Sequence, residues 1–160
     1  IKQSEKTERK VALNDIVIHR TGALSVVNLI VFVNGEYLNT FRADGIIIST
    51  PTGSTGYNMS AGGPIVDPKA SMILITPINA HNLNSRSIVI GAEDEVMIEI
   101  GERRSQKDET VEVSFDGDNA VGLEVGDKFL IRKADSTTRI CKLNNMSFLE
   151  ILRKKMKAYT

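Results

Sequence analysis

Short apolar runs recur along the chain at intervals of about ten residues, separated by turn-forming residues, which is the pattern of a protein built from many short strands. Most of these runs are rich in valine, isoleucine and leucine, side chains that pack well on a pleated sheet. The predicted strands occupy residues 16–18, 25–33, 37–41, 45–49, 72–75, 87–90, 95–100, 111–115 and 128–131. A further strand is predicted at residues 139–143, with Cys141 as a small hydrophobic residue within it.

Two turns and one strand refine this picture. Asn34-Gly35 is the strongest hairpin signal in the sequence, because both residues readily adopt the positive φ of a two-residue turn. Asp116-Gly117 is interpreted as a second turn. The run at residues 45–49 shows no alternation of polar and apolar positions, so we expect both faces of this strand to be covered.

Only two helical segments are predicted. A short one begins near Ser54, and the other lies at the end of the chain, where Ser147 and Glu150 have the spacing of a capping box. One face of the terminal helix carries the apolar residues Phe148, Leu152 and Met156. About ten strands with so few helices favour a mainly β fold, a β-sandwich, over alternating strands and helices.

Composition and charge exclude several classes of function. Of the 160 residues, 41% are hydrophobic and 25% are charged, as in an ordinary globular domain. The 20 basic and 20 acidic side chains cancel, so neither a nucleic-acid partner nor a membrane surface is expected. No apolar run approaches the ~20 residues of a membrane span. The single cysteine permits no internal disulfide, which favours a reducing compartment and a cytoplasmic location.

The two ends of the chain differ from its middle. The chain begins at Ile1 rather than methionine and its start is polar, so we expect an excised domain, with residues 1–10 as a connector and residues 11–160 as the domain itself. The charged run at residues 102–109 is interpreted as an exposed loop. The basic residues 153–155 suit the C-terminal end of a helix, where the helix dipole favours positive charge.

The greatest hydrogen-bonding capacity lies in residues 49–57, which we call the hydroxyl-rich loop. It supplies five serine and threonine hydroxyls, the phenol of Tyr57, and two glycines that let a ligand approach the backbone. A buried strand that delivers such a loop to the start of a helix can hold a polar, phosphate-bearing ligand. The alternative is a plain connector whose hydroxyls cap the helix. No Gly-Lys-Ser/Thr follows, so the loop is not a Walker loop.

The hydroxyl-rich loop and four other segments resemble the NAD kinase family, in the same order along the chain. Residues 50–57, Thr-Pro-Thr-Gly-Ser-Thr-Gly-Tyr, and residues 60–64, Ser-Ala-Gly-Gly-Pro, resemble its nucleotide-binding signature, with Gly56 where the family usually has alanine. The other similar segments are Ala-Leu-Asn-Asp at 12–15 (usually Ala-Leu-Asn-Glu), Arg-Ala-Asp-Gly at 42–45 (Arg-Ser-Asp-Gly), Thr-Pro-Ile at 76–78 with His81 and Arg86, and Phe-Leu-Glu-Ile-Leu-Arg at 148–153 in its terminal helix.

The resemblance implies that the chain binds NAD. Asn14 and Asp15 would hydrogen-bond the adenosine part, because an amide reads adenine or ribose edges and a carboxylate accepts from ribose hydroxyls. Without the family context, the alternative is that the same pair caps a helix or the start of a strand. Thr52 and Thr55 would bind the adenine end. His19, on a predicted strand, is interpreted as structural.

The same resemblance assigns the rest of the pocket. Gly56, Tyr57 and Ser60 would shape it, and the tyrosine ring would pack against the nucleotide. Asp44 would accept a hydrogen bond from the nicotinamide carboxamide, in this family often across a subunit boundary. Its local alternative is a turn residue, since Asp-Gly between strands also makes turns. His81 is a further candidate ligand contact, with a polar strand-edge residue as the alternative.

One family motif is absent from the sequence. The Gly-Gly-Asp-Gly-Thr motif, whose aspartate is assigned to activating the acceptor hydroxyl, belongs to an N-terminal α/β domain of the family and does not occur here. We therefore expect no catalytic residue in this fragment, and no activity from it alone. Phosphoryl transfer depends mostly on positioning and charge stabilisation around the donor phosphate. ATP or another donor, with Mg²⁺ or another divalent cation, would bind mainly through the missing domain, and no metal-ligand spacing is present.

The resemblance also implies the reaction and the assembly. The whole enzyme would transfer the γ-phosphoryl group of the donor to the 2′-hydroxyl of the adenosine ribose of NAD, giving NADP. Its partners would be its own N-terminal domain and further copies of itself, as a homodimer or homotetramer. Two alternatives are a lipid kinase of the diacylglycerol or sphingosine type, and a non-catalytic β-sandwich that senses nucleotides.

Overall fold

The computed structural model describes residues 9–22, 26–81, 85–102, 110–141, 143 and 145–158. The strands within these residues are β1 (Asp15–Thr21), β2 (Val27–Val33), β3 (Glu36–Ala43), β4 (Gly45–Ser49), β5 (Met72–Ile78), β6 (Ile88–Gly91), β7 (Val96–Ile100), β8 (Thr110–Phe115), β9 (Asp118–Leu123) and β10 (Lys128–Ile131). A 3-10 helix at Thr52–Thr55 and the short helix α1 (Tyr57–Ser60) follow β4, and α2 (Phe148–Ala158) lies near the C-terminus.

The strands form two antiparallel sheets. One has six strands in the order β6-β5-β4-β1-β8-β9, and the other has four in the order β10-β7-β2-β3. The main core lies between them and includes Ile18, Leu29, Phe41, Ile46, Ile48, Ile98 and Val113. The predicted β-sandwich of about ten strands, with a short helix after the hydroxyl-rich loop and a C-terminal helix, is confirmed.

The central strand β4 is covered on both faces, as its unbroken apolar sequence predicts. All five of its residues are buried. Ile46 and Ile48 belong to the core between the sheets, whereas Ile47 belongs to a second cluster with Val17 and Ile78. Successive side chains of a strand point to opposite faces, so this second cluster lies on the outer face of the six-stranded sheet.

Each predicted strand up to residue 131 is present, although the first residue of the run at 25–33 lies outside the described residues. The Asn34-Gly35 hairpin is confirmed, with φ of 52° and 80° at its two residues. The capping box is confirmed as well. The Ser147 N–H donates to Glu150 Oε2 at 2.8 Å, and the Glu150 N–H donates to Ser147 Oγ at 3.2 Å.

One predicted strand is wrong, and one strand of the structure was not predicted. The described part of residues 139–143 forms no strand, and Cys141 is exposed rather than packed as a small hydrophobic residue. Ile140 and Leu143 are exposed as well, at 66% and 94%. A β-type composition makes a strand only when a neighbouring strand pairs with it. Conversely, β9 was missed, because asparagine and glycine are poor strand formers and only its pairing with β8 makes it extended.

The helical predictions differ from the structure in detail. The helix expected near Ser54 is a 3-10 turn followed by the four-residue α1. On α2, Phe148 and Leu152 are half-buried, but Met156 is 57% exposed, so the predicted apolar face is only partly covered. Most of the charged run at 102–109 and most of the connector at 1–10 lie outside the described residues, and the domain boundary stays a prediction.

Candidate functional site

A cleft of about 640 Å³ lies on the outer face of the six-stranded sheet. Its floor follows from the alternation of side chains along β1. Asp15, Val17 and His19 line the cleft, whereas Ile18 points into the core between the sheets. Ser114, which is paired with Val17 across β1 and β8, extends the floor on one side. The complete lining consists of Asn14, Asp15, Val17, His19, Arg20, Asp44, Gly56, Tyr57, Ile78, Asn79, Ser114, Asp116 and Gly117.

The structure brings together five of the residues predicted to bind NAD. Asn14, Asp15, Asp44, Gly56 and Tyr57 all line the cleft, although they come from three separate segments of the chain. Antiparallel pairing places Asp15 opposite Ser49 at one end of β1. Asp44 lies near the other end, where its carbonyl accepts from the Arg20 N–H at 3.0 Å. The cleft therefore follows β1 along its length.

The hydroxyl-rich loop packs directly against the backbone that precedes β1. Thr50 Oγ1 donates to the Leu13 carbonyl at 2.8 Å, and the Thr50 N–H donates to the Asn14 carbonyl at 2.9 Å. At Gly53, an added Cβ would lie 2.1 Å from the Asn14 carbonyl oxygen, far inside van der Waals contact. Only glycine permits this approach, so the loop fixes the position of Asn14 and Asp15.

Much of the loop's hydrogen-bonding capacity is used inside the protein. Ser49 Oγ donates to the Thr50 carbonyl at 2.9 Å. Ser54 is fully buried, and its hydroxyl both donates to the Val66 carbonyl at 3.1 Å and accepts from the Val66 N–H at 3.0 Å. Ser49, Thr50 and Ser54, which were not among the predicted NAD contacts, therefore use their hydroxyls within the protein. These hydroxyls hold the loop in place, which makes the loop a scaffold.

The buried side-chain amide of Asn58 also holds the hydroxyl-rich loop in place. Asn58 in α1 is fully buried, and its Nδ2 donates to the Ser54 and Pro64 carbonyls at 3.1 and 3.0 Å. Its Oδ1 accepts from Thr76 Oγ1 at 2.7 Å. An added Cβ at Gly63 would lie 2.2 Å from the same oxygen. The Gly-Gly-Pro and Thr-Pro-Ile segments of the family resemblance thus meet at a structural amide.

Four predicted site residues do not line the cleft. Thr52 is half-buried in the 3-10 turn, Ser60 is exposed at the end of α1, and His81 is exposed with its N–H donating to the Arg42 carbonyl at 2.8 Å. The carbonyl and hydroxyl of Thr55 accept from Lys155 Nζ at 3.2 and 3.3 Å. Their contacts with NAD stay predictions.

Asp116 is a site residue that the sequence interpretation missed. It was assigned only to a turn, yet its Oδ2 accepts from the Leu13 N–H at 2.6 Å, and its Oδ1 accepts from the Asn14 and Asp15 N–H groups at 2.6 and 3.1 Å. Desolvation works against the charged form, but the three hydrogen bonds outweigh it and hold the pKa of Asp116 below its usual value. An aspartate at the first position of a two-residue turn was the available signal.

The pKa of the Asp15 carboxyl group is shifted in the opposite direction from that of Asp116. The residue is only 8% exposed. Burial in the first place, and the neighbouring charge of Asp116 in the second, raise the pKa of Asp15 above its usual value. Two carboxyl groups with pKa values displaced in opposite directions therefore share one end of the cleft, a feature that is common in functional sites.

Asp44 is held at the other end by two side chains. Arg20 Nε donates to its Oδ1 at 2.9 Å, and Asn79 Nδ2 donates to its Oδ2 at 3.0 Å. The hydrogen bond from Arg20 is the main cause that lowers the pKa of Asp44, against a smaller opposing effect of desolvation. His81 also lowers it through its charge. Arg20 and Asn79 are further lining residues that no motif in the sequence indicated, because only strand pairing brings them to Asp44.

Other kinds of site find less support in the described residues. Among them, no group of three or more histidine, cysteine, aspartate or glutamate side chains could hold a metal ion. No described helix is long and apolar enough to cross a membrane. His19, which was interpreted as structural, lines the cleft, and its Nδ1 lies 3.0 Å from the Arg20 carbonyl.

Relatives of this chain are named NAD kinases. The chain is 62% identical over 159 residues to an NAD kinase of Agathobacter rectalis, covering 99% of this chain and 56% of that protein. It is 46% identical over 153 residues to an NAD kinase of Lachnoclostridium phytofermentans, covering 96% of this chain and 54% of that protein. The chain thus spans about half the length of these curated relatives.

Solved structures of two kinases have similar folds. A yeast NADH kinase complexed with NADH superposes with a TM-score of 0.73 at 39% identity, over 81% of this chain and 36% of that chain. An NAD kinase from Archaeoglobus fulgidus in complex with ATP gives a TM-score of 0.68 at 27% identity, over 78% of this chain and 46% of that chain.

A family model for the ATP-NAD kinase C-terminal domain matches residues 13–143. This range includes every residue that lines the cleft. The matched relatives and structures give no support to a lipid kinase or to a sensing module. The chain belongs to the ATP-NAD kinase C-terminal domain family.

Proposed function

We propose that this chain is the acceptor-binding domain of an NAD kinase, which transfers the γ-phosphoryl group of ATP or another donor to the 2′-hydroxyl of the adenosine ribose of NAD. The observation that carries the proposal is the cleft along β1, which gathers Asn14, Asp15, Asp44, Gly56 and Tyr57 from segments far apart in sequence. Membership of the family supplies the class of substrate, and the yeast relative of similar fold was solved with NADH.

The end of the cleft at Asp15 suits the adenosine ribose. A carboxylate accepts hydrogen bonds from ribose hydroxyls, and the amide of Asn14 both donates and accepts. The hydroxyl-rich loop and Asp116 hold the backbone of both residues. Such fixed backbone positions reduce the entropy lost when the ligand binds.

The Gly56-Tyr57 segment suits the flat parts of a dinucleotide. Tyr57 lines the cleft with 48% of its surface exposed, which leaves its ring available for packing against a base. The nearest atoms to an added Cβ at Gly56 would be the Gly53 carbonyl oxygen at 3.2 Å and Asp15 Oδ2 at 3.9 Å. The backbone here is therefore close to the carboxyl group and open to a ligand.

Asp44 suits the nicotinamide carboxamide at the far end of the cleft. Its two oxygens each accept one hydrogen bond within the protein, and a carboxylate has about four acceptor positions. The remaining capacity can accept from an amide N–H. We further propose that Thr52, Thr55, Ser60 and His81 contact the dinucleotide from outside the described cleft, and that a second copy of the chain completes the site in a homodimer or homotetramer.

The chemical step requires groups that we assign to the rest of the parent protein. The donor, Mg²⁺ or another divalent cation, and the base that activates the acceptor hydroxyl would bind or lie mainly in an N-terminal domain. The share of the relatives' length that this chain leaves uncovered supports this assignment. The contribution of this domain is to bind and orient the acceptor, which supplies much of the catalysis in phosphoryl transfer. We place the enzyme in the cytoplasm.

Titration calorimetry of the full-length parent protein with NAD, followed by an assay for NADP formation with ATP and Mg²⁺, tests the proposed function. Saturable NAD binding and NADP formation are expected. Absence of both, together with phosphorylation of diacylglycerol or sphingosine, would replace the proposal with the lipid kinase alternative. NAD binding without NADP formation under any donor would favour the sensing module.

Asp44→Asn should raise the KM for NAD about tenfold or more, because it replaces a charge-assisted hydrogen bond to the carboxamide with a neutral one. Steady-state kinetics of the full-length enzyme measures the effect. Asp67→Asn is the matched control, since Asp67 is an exposed turn residue that accepts from the Lys69 N–H at 2.9 Å and does not line the cleft. An unchanged KM in the Asp44 variant would leave Asp44 as a turn residue only.

A further inference from the structure

The carboxylate of Asp116 has a fixed position at the edge of the cleft. Three backbone N–H groups, those of Leu13, Asn14 and Asp15, donate to it at 2.6, 2.6 and 3.1 Å. Its own N–H donates to the Asp15 carbonyl at 3.0 Å. The residue has a φ of 51° in the turn between β8 and β9, and Gly117 after it has a φ of 82°. Its negative charge is therefore kept beside Asp15.

The charges along the cleft are unevenly distributed. The lining contains three aspartates and one arginine. The arginine, Arg20, lies near the end of β1 and forms an ion pair with Asp44 at 2.9 Å. Asp15 and Asp116 lie at the opposite end of β1, where the lining contributes no basic side chain among the described residues. This end of the cleft is consequently negative.

A negative end treats a ribose hydroxyl and a ribose phosphate differently. A ribose hydroxyl can donate a hydrogen bond to a carboxylate, so this end of the cleft can bind it. A phosphomonoester carries a charge of about −1.5 to −2 at neutral pH and presents acceptor oxygens. Beside the two carboxylates, the charge of the phosphate would be repelled. Its oxygens would also face carboxylate oxygens, so that hydrogen-bond acceptors would lie opposite acceptors. Such repulsion against one of two ligands produces specificity.

We propose that Asp116 is a specificity-determining residue, whose fixed charge makes the cleft favour an acceptor with a free 2′-hydroxyl over the same dinucleotide already phosphorylated there. The inference rests on the proposed function and adds discrimination between substrate and product to it. Asp116 need not touch the reacting hydroxyl, because the repulsion between its carboxylate and a phosphate does not require direct contact. The same repulsion would promote release of NADP after transfer.

The test compares the affinities of NAD and NADP in the full-length protein and in its Asp116→Asn variant. Asparagine tolerates the positive φ of this turn, and its amide oxygen can still accept from the Asn14 and Asp15 N–H groups. Its NH₂ group cannot accept from the Leu13 N–H, so the substitution removes the charge and one of the three hydrogen bonds, and the ratio of the two affinities is the readout that separates these effects. We expect the ratio of the NADP to the NAD dissociation constant to fall by about fivefold, since a carboxylate beside a phosphate of up to two negative charges repels it by about that factor even where solvent screens the interaction. In the unaltered protein, the ratio should also fall as salt rises.

Asp94→Asn is the matched control, because Asp94 is likewise a turn carboxylate that accepts a backbone N–H, from Gly91 at 2.7 Å, and lies outside the cleft lining. It should leave the ratio unchanged. If Asp116→Asn weakens NAD and NADP equally, or changes neither, Asp116 only supports the backbone and the inference is wrong. If the variant does not fold, a ratio that is independent of salt in the unaltered protein overturns it. Failure of the unaltered protein to bind NAD would count against the proposed function instead.

Discussion

Gly53→Ala should destabilise the domain by about 2 kcal/mol or more and abolish tight NAD binding, although it adds only one methyl group. The new Cβ would lie 2.1 Å from the Asn14 carbonyl oxygen and 2.8 Å from Asn14 Cα. Both obstacles are backbone atoms, so no side-chain rotation relieves the clash. The hydroxyl-rich loop and the Asn14-Asp15 segment must therefore separate, and the hydrogen bonds between them must break.

Urea denaturation followed by circular dichroism measures the loss of stability, and calorimetry measures the loss of NAD binding. Gly122→Ala is the matched control, because an added Cβ on this strand glycine would have no neighbour within 4 Å. It should retain wild-type stability to within about 0.5 kcal/mol. If the Gly53 variant denatures at the same urea concentration as the unaltered protein, the loop does not depend on this close approach.

Tyr57→Ala in the full-length enzyme should raise the KM for NAD about ten- to a hundredfold, the usual effect of removing one aromatic ring from a stacked base. The fold should remain intact, because almost half of the tyrosine surface is exposed, at 48%. A change in KM without a large change in stability distinguishes a ligand contact from a packing role. Steady-state kinetics with varied NAD, together with thermal unfolding, provides both measurements.

Two further tyrosine variants control this result. Tyr57→Phe keeps the ring and should retain most of the affinity if the ring face is what binds. Tyr37→Ala removes another exposed tyrosine, at 60%, that packs edge-on against Phe32 in the other sheet, and should leave the KM unchanged. Wild-type kinetics in Tyr57→Ala would place the dinucleotide elsewhere in the cleft.

Strand periodicity predicted the architecture well because most of its strands are apolar enough to be recognised without their neighbours. The unbroken apolar run of β4 was correctly expected to be buried on both faces. The strand β9 lacked such a signal, since its extended conformation comes from pairing with β8. The reverse error occurred at residues 139–143, where the residues that the structure describes are strand-like in composition but pair with no described strand.

The candidate site was predictable only in part, for a similar reason. Motifs identified Asn14, Asp15 and Tyr57, which lie in the cleft. The loop hydroxyls suggested ligand contacts, but a sequence does not reveal that Ser54 is fully buried. Asp116 reaches Asn14 across a separation of 102 positions, and only the paired strands show this.

That long separation has a consequence for how the domain folds. The floor of the cleft forms when β1 pairs with β8, for example when Ile16 meets Phe115, and this pairing closes nearly one hundred residues of intervening chain. Closing such a loop costs entropy before the contacts between the two strands can compensate for it, so we expect this pairing to form late in folding. The binding cleft is therefore a property of the nearly complete fold. NAD would act mainly by slowing unfolding, and would do little to accelerate folding.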